Sequence, residues 1–382
     1  MILRFLFTAV FVASLVLHYP LAPSLYAQVV DVPAEDADEE EAPPELVWHD
    51  VTKWGVEGRA WPEMPRKRWF QRLPDAAQGK VDKPVWQLGQ DSTGMMVRFK
   101  TDATTIWAHY ALSRKRLALP HMPATGVSGL DLYARDAKGK WRWIGVTKTN
   151  EPEMKLAIIA ELSPQLREYA VYLPLYNGLE SLSLGVPVGA KFEGLAPRTQ
   201  SPIVFYGTSI TQGASASRPG MAYTAILGRM FDRPVVNLGF SGTGRMDAAV
   251  GDLMVKMDAA AFVLDCVPNM NPAEVREKGP ALVKQLRAAH PKIPIILVED
   301  LRNTNSWALP KRDQYHTDRQ TAIREVYEGL KREGVADLHY VPDNHLVGDD
   351  GDGTIDGSHP NDLGFMRMSE ALAPVLREVL PR

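Results

Sequence analysis

The 382-residue chain has a single cysteine, Cys266, so no internal disulfide can form. Cys266 falls within the apolar segment Ala261–Val267, where a thiol acts as a small core side chain. Charge of one sign is also missing. The net charge is -3 and the pI about 6.3, which removes the electrostatic case for a nucleic-acid partner. The apolar run near the N-terminus falls short of the ~20 residues that a membrane span needs. No internal repeat is present, and no G-x-S-x-G elbow surrounds the serine discussed below, which disfavours the α/β-hydrolase fold.

The first residues do carry an address. Arg4 precedes the largely apolar run Phe5–Leu17, and Ala22–Gln28 offers a small-residue exit at Ala27. Residues 1–27 therefore read as a secretory signal peptide. No cysteine follows the run, so a lipoprotein is excluded, and export without disulfides fits a periplasmic or extracellular protein. No stable membrane span is expected after cleavage. Residues 28–45 carry Glu35, Asp36, Asp38, Glu39, Glu40 and Glu41 among Pro and Ala, the composition of a solvated acidic linker.

Residues 46–197 have an all-β texture. The segments Met95–Lys100, Thr104–Leu112, Gly129–Arg135, Trp141–Val146, Tyr169–Leu173 and Leu182–Gly185 are short and rich in β-branched or aromatic residues, with turn material between them. Strands at this spacing predict an all-β sandwich, jelly-roll-like in plan. Residues 198–382 alternate strand and helix. The runs Ile203–Tyr206, Val235–Asn237, Ala261–Asp265, Ile293–Val298 and Leu338–Val341 read as five buried parallel strands. Helical segments separate and follow them, making a doubly wound open sheet.

That layout gathers the chemistry, because working groups in open α/β sheets collect at the C-terminal ends of strands. Ser209 follows the first strand in Y-G-T-S-I-T-Q-G, Gly242 the second, and Asn269 the third; Asp356 and His359 lie beyond the fifth in D-G-S-H. Ser209 is the candidate nucleophile, ahead of its rivals Ser215, Ser217 and Ser241. His359 is the candidate base, ahead of His345, with Asp356 able to hold its Nδ1–H while Nε2 faces Ser209. The N–H groups of Ser209 and Gly242 and the carboxamide of Asn269 are candidate oxyanion donors, typically worth about 3 kcal/mol each. The acidic loop Gly348–Gly353 fails both EF-hand registers, so no metal is expected. Trp61, Trp69, Trp86 and Trp141 could bind sugar on the sandwich or fill its core.

These blocks resemble those of SGNH/GDSL-type hydrolases over about residues 200–382, and Gly129-Leu130-Asp131-Leu132-Tyr133 resembles the G-x-D-L-Y signature of an N-terminal β-domain preceding one branch of them. The resemblance implies a flavodoxin-like three-layer α/β/α domain and cofactor-free, metal-free ester hydrolysis. It makes Ser209 the nucleophile, His359 the base oriented by Asp356, and Gly242 and Asn269 oxyanion donors. Two departures stand out: Thr208 replaces the acid of the usual G-D-S, and V-P-N-M replaces the usual G-x-N-D around Asn269. Such families include lipases, lysophospholipases and carbohydrate deacetylases. The expectation for this chain is a secreted esterase removing short acyl groups, acetyl foremost, from a small acylated molecule or polysaccharide. A lipid-directed esterase and a catalytically impaired glycan-binding protein are the alternatives.

Overall fold

The computed structural model describes residues 44–381, so the signal peptide expected over 1–27 and nearly all of the acidic linker lie outside the described residues. Nine antiparallel strands come first: β1 (Leu46–Asp50), β2 (Met96–Thr101), β3 (Ile106–Leu112), β4 (Asp131–Arg135), β5 (Trp141–Val146), β6 (Glu153–Ile159), β7 (Arg167–Tyr172), β8 (Leu179–Pro187) and β9 (Phe192–Leu195). They form two sheets, ordered β1-β8-β3-β6 and β5-β4-β7-β2-β9. Side chains of the two sheets meet in one core. Ile106, Ala108 and Tyr110 of β3 face Val97 and Phe99 of β2 and Val171 of β7. In β3 every second residue is buried, as a strand with one inward face requires.

Five parallel strands follow: β10 (Ile203–Gly207), β11 (Val235–Gly239), β12 (Ala261–Asp265), β13 (Ile295–Val298) and β14 (Leu338–Val341). Their order is β11-β10-β12-β13-β14, the flavodoxin-like arrangement whose switch point lies beside the first strand. These strands are apolar almost throughout because both faces are covered. Val204, Tyr206, Phe262 and Leu264 face one layer of helices, and Ile203, Phe205, Ala261 and Val263 face the other.

The segment between β1 and β2 departs from the all-β expectation. It holds a short helix, α1 (Lys83–Leu88), and otherwise irregular chain. Trp61, Leu73, Val81 and Val85 from this segment pack into the core of the parallel sheet, not into the sandwich. Buried Arg72 covers the outer edge of β11, donating to the carbonyls of Asn237 (3.1 Å) and Gly239 (2.7 Å) and, from its other nitrogen, to Leu88 O at 2.8 Å. An edge strand leaves such carbonyls unpaired, and the guanidinium satisfies them.

The sandwich is also fastened beyond β10. Asp131, fully buried at the start of β4, accepts from Arg218 Nη1 (2.9 Å), Gly220 N (2.7 Å) and Trp143 Nε1 (2.9 Å). Tyr133 stacks under Arg229, whose guanidinium carbon lies 4.2 Å from the ring centre. The G-x-D-L-Y segment is therefore an interlock between the two regions. Removing a buried charge's partner leaves that charge unpaired. Asp131→Ala is expected to lower unfolding stability by about 3 kcal/mol, read from urea denaturation; a loss under about 1 kcal/mol would contradict the interlock.

Candidate active site

The backbone after β10 explains how Ser209 is presented. Thr208 caps a single helical turn, α2 (Ser209–Gln212), with its hydroxyl accepting from Ile210 N at 3.2 Å. Gly213, in the left-handed region at φ 98°, ends the turn. Gly207 permits the sharp exit from the strand: a Cβ there would sit 2.0 Å from Thr211 Oγ1. Thr208 thus does a local structural job where the family pattern has a carboxylate. Ser209 is itself 8% exposed, at the N-terminus of its turn.

His359 and Asp356 arrive on the long connection between β14 and the last helix, Asp362–Val379. That connection closes on itself through Ile355 N donating to His359 O (3.0 Å) and Gly357 N donating to Thr354 Oγ1 (3.1 Å). Asn361 then caps the helix, accepting from Gly364 N at 3.0 Å. The turn places His359 Nε2 2.9 Å from Ser209 Oγ and His359 Nδ1 2.7 Å from Asp356 Oδ2. With Nδ1 protonated toward the carboxylate, Nε2 is left to accept from the serine hydroxyl. Burial pushes the Asp356 carboxyl up, but the backbone N–H and ring of His359 and the N–H of Ser358 outweigh it and hold the group at about 2.

The rival serines and histidine do not form this contact. Ser217 bonds to Asp362 through both its N–H and its hydroxyl, and His345 makes no hydrogen bond to Ser209 among the described residues. In the acidic loop, the Asp350 carboxylate is engaged by Arg367 through both guanidinium nitrogens, at 2.9 and 2.7 Å.

Gly242 lies exposed on the turn after β11 with φ 70°. The carboxamide of Asn269 leans over that turn, donating to Gly244 O at 3.3 Å and reaching Phe240 O at 3.5 Å. The N–H groups of Ser209 and Gly242 have no hydrogen-bond partner among the described residues. The structure therefore brings the Gly242 and Asn269 loops together, with two backbone donors left uncommitted.

Four contributors went unseen in the sequence. Gln212 closes α2, where its Oε1 accepts from Ser241 N (3.0 Å) and its Nε2 donates to Asp91 Oδ2 (3.2 Å). Asp91 is fully buried and faces Arg114 at 2.7 Å, and burial lifts its carboxyl to about 6 against the pull of Arg114 and Arg72. Tyr176 donates to Ser209 O at 3.4 Å. His121 stacks on His359 with ring centres 5.4 Å apart, and burial together with the His359 charge lowers its pKa. Asp91, His121 and Tyr176 come from the N-terminal region, which carries no catalytic grouping visible in its sequence. Only Gln212 had a signal, as the last polar residue of the T-S-I-T-Q-G block.

Comparison with known proteins matches residues 200–377 to the GDSL-like lipase/acylhydrolase family and residues 46–192 to the GxDLY family, the N-terminus of SGNH-hydrolase-type esterases. A structure from Bacteroides ovatus described as a GDSL-like lipase is 33% identical with a TM-score of 0.83, covering 88% of this chain and 98% of its own. A salicylyl-acyltransferase from a tetracycline biosynthetic pathway is 17% identical at a TM-score of 0.67, with 88% and 96% covered. A family two carbohydrate esterase from Cellvibrio japonicus is 13% identical at a TM-score of 0.58, with 88% and 98% covered. No curated protein gives a match.

Two measurements follow from this geometry. The folded Asp356 value lies below the ordinary 3.8, so the stability it contributes is complete above the ordinary value and lost as pH falls through about 2. A carboxyl carbon titration of Asp356 by NMR should give a midpoint near about 2; a midpoint at or above 3.8 would contradict the hydrogen-bond set. The Asp91 carboxylate and the Leu175 carbonyl, 3.2 and 3.3 Å from Gln212 Nε2, can only accept, which turns the Gln212 amide so that its oxygen meets Ser241 N–H. Asp91→Asn leaves only the Leu175 carbonyl to set that preference, and hydrogen exchange at the Ser241 amide should quicken about threefold. An unchanged rate would show that Asp91 does not orient Gln212.

Proposed function

This chain belongs to the GDSL-like lipase/acylhydrolase family and is a carboxylic ester hydrolase, and we propose that it removes short acyl groups, acetyl foremost, from carbohydrate. The observation that carries the mechanism is the unbroken series Ser209 Oγ, His359 Nε2, His359 Nδ1, Asp356 Oδ2 at 2.9 and 2.7 Å. In this reading the Ser209 hydroxyl attacks the acyl carbonyl as His359 takes its proton. Negative charge gathers on the carbonyl oxygen, where the N–H groups of Ser209 and Gly242 receive it, joined by the Asn269 amide once it releases its 3.5 Å contact to Phe240 O. His359 then protonates the departing sugar oxygen, leaving an acyl-serine. Water, activated by the same imidazole, attacks that ester; the acid departs and Ser209 regains its proton. Asp356 keeps the ring in one tautomer and stabilises the imidazolium throughout.

The open site supports the short acyl group. His359 keeps 25% and Asp356 42% of their side chains exposed, and Gly242 lies at the surface. A long acyl chain needs an apolar groove, since each methylene gains about 0.8 kcal/mol only when buried. An open rim suits a large, hydrated molecule bearing a small ester. The family two carbohydrate esterase among the similar folds is in keeping with a sugar substrate. Thr208 speaks against an impaired enzyme, because it caps α2 and leaves the serine in contact with its base.

Export is part of the proposal. Residues 1–27 would be removed as a signal peptide, leaving the acidic segment 28–45 ahead of 46–197 and 198–382 outside the cytoplasm. No helix among the described residues is long and apolar enough to cross a membrane.

Purified protein should release acetate from acetylated polysaccharide and cleave p-nitrophenyl acetate faster than the octanoate. Ser209→Ala should lower both activities about 10⁴-fold or more. Octanoate preferred over acetate would overturn the short-acyl reading, and an active Ser209→Ala protein would overturn the mechanism.

A further inference from the structure

The four tryptophans considered from sequence are occupied in packing. Trp61 is 6% exposed and donates to Leu253 O at 2.9 Å, and Trp69, Trp86 and Trp141 are half-buried. Trp307 is different: 87% of it is exposed. It sits on the short helical turn Ser306–Ala308, in the connection that follows β13. The strand order β12-β13-β14 places that connection between the loop carrying Asn269 and the loop carrying Asp356 and His359.

The connection is bonded toward both neighbours. Toward the acid and base, Thr304 N donates to Gly357 O at 2.9 Å and the hydroxyls of Thr304 and Thr354 lie 2.7 Å apart. Toward Asn269, Arg319 donates to Pro268 O at 2.9 Å and contacts Asp300 at 2.9 Å. Asp300 also holds His316 Nδ1 at 2.7 Å, while His316 Nε2 accepts from Asn303 N at 3.3 Å. Ser306, beside the indole, is buried. The base of the loop is therefore built and polar-bonded, while its tip offers a large apolar face to water. Leu309 and Ile355, the latter next to Asp356, are also exposed, at 41% and 53%.

Leaving an indole in water forgoes the burial that normally stabilises a large aromatic side chain. A flat, amphipathic ring with two side-chain torsions, on a loop bonded to the turn of Asp356 and His359, loses little entropy when it stacks on a ligand. We propose that Trp307 is a stacking platform for a pyranose ring of the substrate, adjacent to the ring that carries the ester. A sugar presents a face of C–H groups to the indole and keeps its hydroxyls in water, which an open rim permits. A single exposed indole offers a long acyl chain no surface that buries most of its methylenes. The proposal rests on the carbohydrate reading above and deepens it by giving the sugar a site.

The test uses the full chain, with chemically acetylated xylan, mannan and cellulose as polymer probes and p-nitrophenyl acetate and octanoate as small ones. Trp307→Ala should lower kcat/KM on the best polymer about tenfold relative to p-nitrophenyl acetate, mainly through KM, as losing one stacked ring entails. Trp307→Phe should recover part of that ratio. A parallel loss on polymer and p-nitrophenyl acetate would mean that the indole only supports the loop, and would overturn the platform. No loss on either would do the same, as would a selective loss on the octanoate. Failure of wild type on every polymer, with p-nitrophenyl acetate still cleaved, would sink the carbohydrate reading itself and the platform with it.

Discussion

One contact joins the two ends of the catalytic half of this molecule. Ser209 Oγ and His359 Nε2 are 2.9 Å apart across 150 residues of sequence. Neither residue is reactive alone, since a free serine hydroxyl is a weak nucleophile and an isolated imidazole has no fixed tautomer. The fold supplies what they lack. The parallel sheet delivers Ser209 at the end of β10 beside the topological switch, and the closed turn around Gly357 returns His359 over the same rim. The Asp356 carboxylate bonds to both the ring and the backbone N–H of His359, so one side chain fixes the tautomer and the loop that carries it.

The N-terminal region acts as a frame for that rim. Arg72 covers the open edge of β11, Asp131 pins the chain that follows α2, and Asp91 sets the direction of the Gln212 amide. Gln212 in turn holds the N–H of Ser241, next to Gly242. His121 adds a second imidazole against His359. Each of these contacts reaches an element of the parallel sheet or its loops, so the N-terminal region is joined to the proposed reaction centre, through buried polar groups at Arg72, Asp91 and Asp131. Buried polar groups are expensive to leave unmet, which is why such links orient their partners closely.

The fold was most legible where burial was most complete. The five parallel strands are apolar on both faces, so their runs stood out from the polar helices. In the sandwich, β3 alternates cleanly; β1 and β9 are short edge strands that bury only part of their residues, and β6 was missed although Glu153–Leu156 alternates. The segment between β1 and β2 was read as β and is largely irregular. Its order comes from docking Trp61 and Leu73 onto the distant parallel sheet, a constraint that no local pattern carries. The proposed nucleophile, base and acid were legible because the proposed chemistry asks for those residue types, with Ser209 just past β10 and Asp356 and His359 on the connection that follows β14. Asp91, His121 and Tyr176 were not, because their roles depend on how the two regions meet. The exposure of Trp307 likewise belongs to the folded surface alone.

The central claim is that Ser209 is the activated hydroxyl of this rim. The most direct test is to treat the folded protein with a fluorophosphonate and map the adduct by peptide mass spectrometry. The account predicts one adduct, on Ser209, that disappears when His359 is replaced by alanine. A wild-type protein that stays unlabelled, or that is labelled at another serine, would contradict it.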